Sequence, residues 1–145
     1  MKGKSLKGND PKIGVAVLVF KEGKVLLGKR IGSVTGSGMY NAPGGKLEHL
    51  ESLAVCGARE VFEETGVEIQ NPRFLCVTNV THFPPEHHVL LTLAADWKAG
   101  EPVAREKEKC ESWSWFHLDS LPELLTPATA NGIKALQSKE IFFDV

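Results

Sequence analysis

The stretch Gly45–Val67, GKLEHLESLAVCGAREVFEETGV, decides how the rest of the chain is read. From Ser52 to Thr65 its residues recur at helical spacing. At about 100° per residue, Ala54, Val55, Ala58, Val61 and Phe62 fall on one arc, while Leu53, Cys56, Gly57, Glu60, Glu63 and Glu64 fall on the other. The helix is thus expected to have an oily side and an acidic side. Ser52 suits an N-cap and Gly66 a C-cap, which bounds the helix. Glu60, Glu63 and Glu64 stand at i, i+3 and i+4, so their carboxylates leave one face within reach of a single point. Like charges at this spacing cost a few tenths of a kcal/mol per pair, and the helix has one basic residue, Arg59, on its flank. Three glutamates alone would read as a solvated acidic face. A divalent cation explains the cluster better in its context, and hard oxygen donors favour Mg²⁺ or Mn²⁺ over zinc.

Outward from this helix, Ile13–Phe20 is rich in Val and Leu, Lys21-Glu22-Gly23-Lys24 reads as a turn, and Val25–Gly28 continues apolar, so a hairpin precedes the helix. Between them Gly32–Gly45, with five glycines and one proline, reads as a long irregular loop of the kind that carries function. Beyond the helix, Arg73–Phe83, Val89–Trp97 and Cys110–Phe116 read as strands, and Pro127–Ser138 as a weaker helix. Strands, helix, strands, helix is not a βαβα repeat. The class expected is α+β with a mixed or antiparallel sheet.

Length and composition narrow the setting. At 145 residues the chain fits one domain, 12–145, preceded by a flexible tail at 1–11. With 17 Lys+Arg against 18 Asp+Glu there is no basic excess to hold a polyanion, so phosphate chemistry must come from a local site or through a metal. The apolar run at 14–20 is too short to cross a bilayer, which needs about 20 residues. The start MKGKSLKGNDPK lacks a secretory h-region. Three cysteines, Cys56, Cys76 and Cys110, without a CxxC pair fit reduced thiols. These readings together imply a cytoplasmic protein with no membrane and no nucleic-acid partner.

From Gly45 the order is G, five residues, Glu51, seven residues, Arg59-Glu60, Val61, Phe62, Glu63-Glu64, Thr65, Gly66, Val67. This run of 23 residues resembles the Nudix box with every fixed position filled. Gly28-Lys29-Arg30, Ala42–Glu48, Lys109–Trp113 and Leu118–Pro122 extend the likeness to the MutT-related branch of Nudix hydrolases.

The resemblance implies a Nudix fold, a mixed sheet sandwiched between helices. It also implies hydrolysis of a nucleoside diphosphate linked to another group, by attack of water on phosphorus with Mg²⁺, or Mn²⁺ in its place. Glu60 and Glu64 match the family's principal metal ligands. Glu63 matches a further ligand or the group that orients water, and the carbonyl of Gly44 matches a backbone ligand. Arg59 is expected to hold the box together by pairing with an acid such as Glu51. Substrate contacts are expected from Arg30, Asn41, Gly45 and His88. His82, His87 and His88 read as pocket-mouth residues rather than a zinc site. General-base candidates are Glu63, Glu108 and Glu111. The preferred substrate is a nucleoside triphosphate, including oxidised purines such as 8-oxo-dGTP, cut to monophosphate and pyrophosphate. A prenyl diphosphate hydrolase and a non-catalytic sensing module are the alternatives, and a homodimer is left open.

Overall fold

The structure, a computed structural model, describes residues 9–144. Most of the expected tail, residues 1–8, lies outside them. Strands β1 (Lys12–Lys21) and β2 (Lys24–Arg30) form the expected hairpin, pairing Phe20 with Val25 and Lys21 with Lys24. Glu22 and Gly23 at the turn both have positive φ, 51° and 78°, the twist that suits a two-residue hairpin loop. The expected loop at 32–45 contains two short strands, β3 (Tyr40–Asn41) and the start of β4 (Gly44–Lys46). Its glycine content hid them. Helix α1 (Leu53–Thr65) is followed by β5 (Glu68–Val80), β6 (His88–Ala99), β7 (Cys110–His117), α2 (Pro127–Ser138) and β8 (Phe142–Asp144).

All eight strands join one mixed sheet, with the path β3-β2-β1-β6-β5-β8 and with β4 on β1 and β7 on β2. β6 runs parallel to β1 from Lys12↔His88 to Phe20↔Asp96. The other edge of β1 is divided between β4, which pairs with Gly14–Ala16, and β2 at the far end. β8 was missed because a three-residue strand leaves no periodicity to read, and β5 begins earlier than Arg73 and stops before Phe83.

Alternation along β1 builds two cores. Val15, Val17 and Val19 face α1 together with Leu26, Val61, Leu93 and Ala95. Leu18 faces the opposite layer with Val25 and Leu27, where Ile133 and Leu136 of α2 pack. Covered on both sides, β1 reads as a continuous apolar run rather than as an alternating one. Each fully buried Val or Leu contributes about 1.5–3 kcal/mol relative to exposure.

Helix α1 departs from the expected amphipathic pattern. Its buried residues are Cys56, Gly57, Val61 and Thr65, while Val55 and Phe62 of the oily arc are 58% and 45% exposed. Two causes turn it. A Cβ on Gly57 would lie 3.0 Å from Val17 and 3.2 Å from Leu93, so the helix approaches the sheet on its smallest residue. The half-buried Glu60 and Glu64 also find hydrogen-bond donors on that inward side. The caps are as expected: Ser52 accepts from the Val55 N–H at 3.1 Å, and Gly66 closes the helix at φ 79°. Among the described residues no helix is long and apolar enough to cross a membrane.

Candidate active site

Arg59 organises the carboxylates of α1 and the turn before it. Its Nε and Nη2 donate to Glu51 at 2.7 and 2.9 Å, and its Nη1 donates to Glu60 at 2.7 Å and Glu63 at 3.0 Å. Nη2 also donates to the Lys46 carbonyl at 3.1 Å, which ties α1 to β4. The fork reaches Glu51 bidentately, a geometry that a lysine ammonium does not offer. Arg59 holds the Glu51 carboxyl down at about 2, and the Glu48 N–H adds to this from 3.0 Å.

The inward side of α1 meets the two glycines of β4. Glu64 Oε1 accepts the Gly44 N–H at 2.8 Å. Burial nevertheless pushes the Glu64 carboxyl up to about 8, because that one N–H and the charge of Arg30 do not offset desolvation and the repulsion of Glu60 and Glu106. Burial also raises Glu60, against the pull of Arg59. A Cβ on Gly45 would collide with the Glu60 carboxylate, so a side chain there would push that carboxylate from its present place above β4. Val15 and Gly45 face each other in the ladder, and Val17 N–H bonds the Pro43 carbonyl. By the alternation of an antiparallel pair, the intervening Gly44 turns both its N–H and its carbonyl away from β1, toward Glu64.

Two half-buried carboxyls raised by desolvation, beside a backbone carbonyl, form an all-oxygen donor set whose anionic form Arg59, Arg30 and the Gly44 N–H compensate only in part. That chemistry fits a hard divalent cation. The three glutamates do not converge, however. Glu63 is 56% exposed and turned to Arg59, and among the described residues no three His, Cys, Asp or Glu side chains are gathered as a cage.

Beside this edge lies a cleft of about 320 Å³. Arg30, Asn41, Gly45 and His88, the four expected substrate contacts, all line it, with Gly44 on the same wall. Its remaining wall includes Val80, Phe83, Leu90 and the start of α2 at Thr126–Ala128, held there by the Ala42 N–H donating to Thr129 Oγ1 at 3.0 Å. Arg30 also lines a smaller pocket of about 60 Å³ with Glu64, Glu106 and Lys109, so it borders both the cleft and the pocket of Glu64. Burial lowers its basicity and the charge of Glu64 restores part of it, while its Nε donates to the Thr35 carbonyl at 2.6 Å.

The histidines separate. His88 Nε2 lies 2.9 Å from Glu86 Oε1 and holds that carboxyl below its ordinary range, whereas His87 bonds Asn79 at 2.6 Å. Glu106, rather than Glu108 or Glu111, lines the pocket that holds Glu64. It sits in Arg105–Lys109, REKEK, where charge alone singles out no residue. Phe83, Glu86 and Thr126–Ala128 were likewise invisible as site residues, since only tertiary contact brings them to the cleft. Trp113 and Trp115 pack against the α1-side core, and Trp113 also lines the small pocket of Glu64.

A family profile described as NUDIX domain matches residues 10–137. The chain is similar to the NAD-capped RNA hydrolase NudC of Pseudomonas syringae pv. syringae (strain B728a), 37% identical over 108 residues, covering 74% of this chain and 37% of that protein. It is 34% identical over 118 residues to the NAD-capped RNA hydrolase NudC of Chromobacterium violaceum, covering 81% of this chain and 43% of that one. The chain thus spans about two fifths of the length of these curated relatives. Among solved structures, a MutT NUDIX hydrolase from Burkholderia pseudomallei superposes with a TM-score of 0.80 at 32% identity, covering 86% of this chain and 97% of that one. A MutT protein from Methanosarcina mazei Go1 superposes at 0.77 with 25% identity, covering 93% and 98%.

Proposed function

Because this chain belongs to the NUDIX family of hydrolases, which act on pyrophosphate bonds, we propose that it hydrolyses nucleoside triphosphates to a monophosphate and pyrophosphate with Mg²⁺ or Mn²⁺. The observation that carries this reading is Arg30, which lines both the large cleft and the small pocket of Glu64. A nucleoside in the cleft then has its phosphates directed past a guanidinium toward the glutamates. Glu60, Glu64 and the Gly44 carbonyl are the groups that would hold the metal, with Glu63 on the outer flank. Bound there, a divalent ion would supply charge neutralisation for pyrophosphate oxygens and a lowered pKa for the attacking water. Arg59 orients Glu60, Arg30 pairs with a phosphate oxygen, and Glu63 or Glu106 takes the proton of the water on a carboxylate oxygen. Asn41, Glu86 and His88 offer polar edges to a base, and Phe83 offers a ring face.

A second reading, cleavage of a dinucleotide such as NAD, free or as an RNA cap, is favoured by the curated relatives. It would withdraw the expectation that nucleic acid is excluded. A panel of nucleoside triphosphates, including 8-oxo-dGTP, together with NAD, NAD-capped RNA and prenyl diphosphates separates these readings by product. The triphosphate reading expects pyrophosphate and a nucleoside monophosphate in equal amounts. Release of two monophosphates from NAD with no triphosphate turnover would replace it, preferential prenyl diphosphate turnover would overturn both nucleotide readings, and metal-dependent binding without any product would make the chain a sensing module.

A further inference from the structure

Asn79 on β5 joins two distant parts of the chain. His87 Nε2 lies 2.6 Å from Asn79 Oδ1, and Asn79 Nδ2 donates to Asp144 Oδ1, at the end of β8, at 2.9 Å. Since Asn79 Oδ1 only accepts, His87 Nε2 donates, and the amide is engaged at both ends, by a ring N–H and by a carboxylate. Val80 pairs with His88 in the β5/β6 ladder, and both line the cleft. Side chains alternate along a strand, so Asn79 and His87 occupy the reverse face of the same hairpin end.

We infer that Asn79 is a positioning residue for the cleft, coupling β8 to the 81–87 segment; this rests on the reading that the cleft takes the substrate. That segment carries Phe83 and Glu86 to the cleft wall. Thr81, His82, Pro84, Pro85 and Glu86 are themselves exposed, so packing does little to hold it. Its fixed points are the turn from Glu86 N–H to the Phe83 carbonyl at 2.9 Å, the Lys12 N–H on the His87 carbonyl at 2.9 Å, the His88 ring on the Glu86 carboxylate at 2.9 Å, and the His87 ring on Asn79. Asn79 is in turn oriented by Asp144, whose strand is laid along β5 by the pairs Val77↔Phe142 to Asn79↔Asp144. Glu60, Glu64 and Gly44 lie on α1 and β4, outside this chain of contacts, so loss of Asn79 alters how substrate is held and leaves the reacting groups in place.

The experiment compares Asn79→Ala, Asp144→Ala, their double variant and Asp144→Asn, which keeps an acceptor oxygen at the same place. Amide hydrogen exchange of residues 81–88 is read together with KM and kcat for the substrate found in the product panel. Both alanine variants are expected to exchange ~3–10-fold faster at 81–88, with α1 unchanged. KM should rise about 5–10-fold with kcat within about twofold, the signature of lost substrate holding. The double variant should match the single ones, as for partners in one network, and Asp144→Asn should behave as wild type. Unchanged exchange at 81–88, a fall in kcat at constant KM, or an Asp144→Asn variant as impaired as Asp144→Ala would overturn the inference. If the wild-type protein turns over nothing in the panel, the exchange result alone decides it, so failure of the cleft reading stays distinct from failure of the coupling.

Discussion

Arg59 and Glu64 divide the work at the scale of single residues. Arg59 satisfies Glu51, Glu60 and Glu63 at once, so the repulsion expected among the glutamates is compensated partly within the protein and not by a cation alone. Arg59→Lys keeps the charge and loses the fork, leaving Glu60 free to swing. Activity should fall about 10–100-fold, the loss typical when a group that orients a metal ligand is removed, with metal affinity falling alongside it in calorimetry. Glu64→Gln keeps volume and leaves a carbonyl oxygen to accept the Gly44 N–H. Turnover should fall by at least ~10²-fold while circular dichroism stays that of wild type. A folded Glu64→Gln protein with near-normal turnover would remove Glu64 from the metal site. The box residues were legible because each occupies a fixed spacing in one continuous run of sequence, Gly45–Val67. Glu106, Phe83 and Glu86 were not, because their place depends on how β5, β6 and the 101–109 segment fold back onto the helix.

Helix α1 shows what periodicity can and cannot say about an element. Its boundaries and caps followed from Ser52 and Gly66, yet of the apolar arc only Val61 is buried, while Ala54, Val55, Ala58 and Phe62 are exposed. A hydrophobic arc measures the mean preference of side chains. At this contact, closeness of approach outweighs it: Gly57 lets the helix lie against Val17 and Leu93, and that proximity brings Glu64 to Gly44 and Glu60 over Gly45. Two substitutions test the reversal by thermal melts. Gly57→Val forces atoms into a contact already filled and should cost about 1–3 kcal/mol, with activity falling as the glutamates lift away from β4. Val55→Ser, on the apolar but exposed arc, should change stability by no more than about 0.5 kcal/mol. The reverse ranking would restore the arc read from sequence. α2 needed no such correction, since Pro127 marks its start and Gly132 packs closely on Leu18, where a Cβ would sit 3.2 Å from the leucine.

For the whole molecule, the sheet acts as a platform that buries acid at one edge, and the consequence is a stability that depends on pH and on metal together. Element order gave the α+β class and left the sheet mixed or antiparallel, and the resemblance implied the mixed sheet between helices, but β8 and the division of the β1 edge between β2 and β4 were not legible, since register and short strands carry no periodic signal. That division sets Glu64 in surroundings that raise its carboxyl from an ordinary 4.5 to about 8, chiefly by burial. A carboxyl raised on folding binds its proton more tightly in the native state than in the unfolded one. Its contribution to stability is therefore complete below about pH 4.5 and is lost as pH rises through about 8. Glu60, raised in the same direction, adds to the slope. The metal-free protein should melt at progressively lower temperature between pH 6 and 9, by several degrees for each 1–2 kcal/mol lost. Added Mg²⁺ or Mn²⁺ binds the ionised carboxylates and should raise Tm more at pH 9 than at pH 6, with hydrolysis favoured at the alkaline end for the same reason. Glu64→Gln has no such carboxyl at position 64, so its metal-free Tm should lie above that of wild type at pH 9 and fall less with pH. A metal-induced rise in Tm equal at both pH values, or a Glu64→Gln curve parallel to that of wild type, would show that the buried acid at this edge is not what links the fold to the ion.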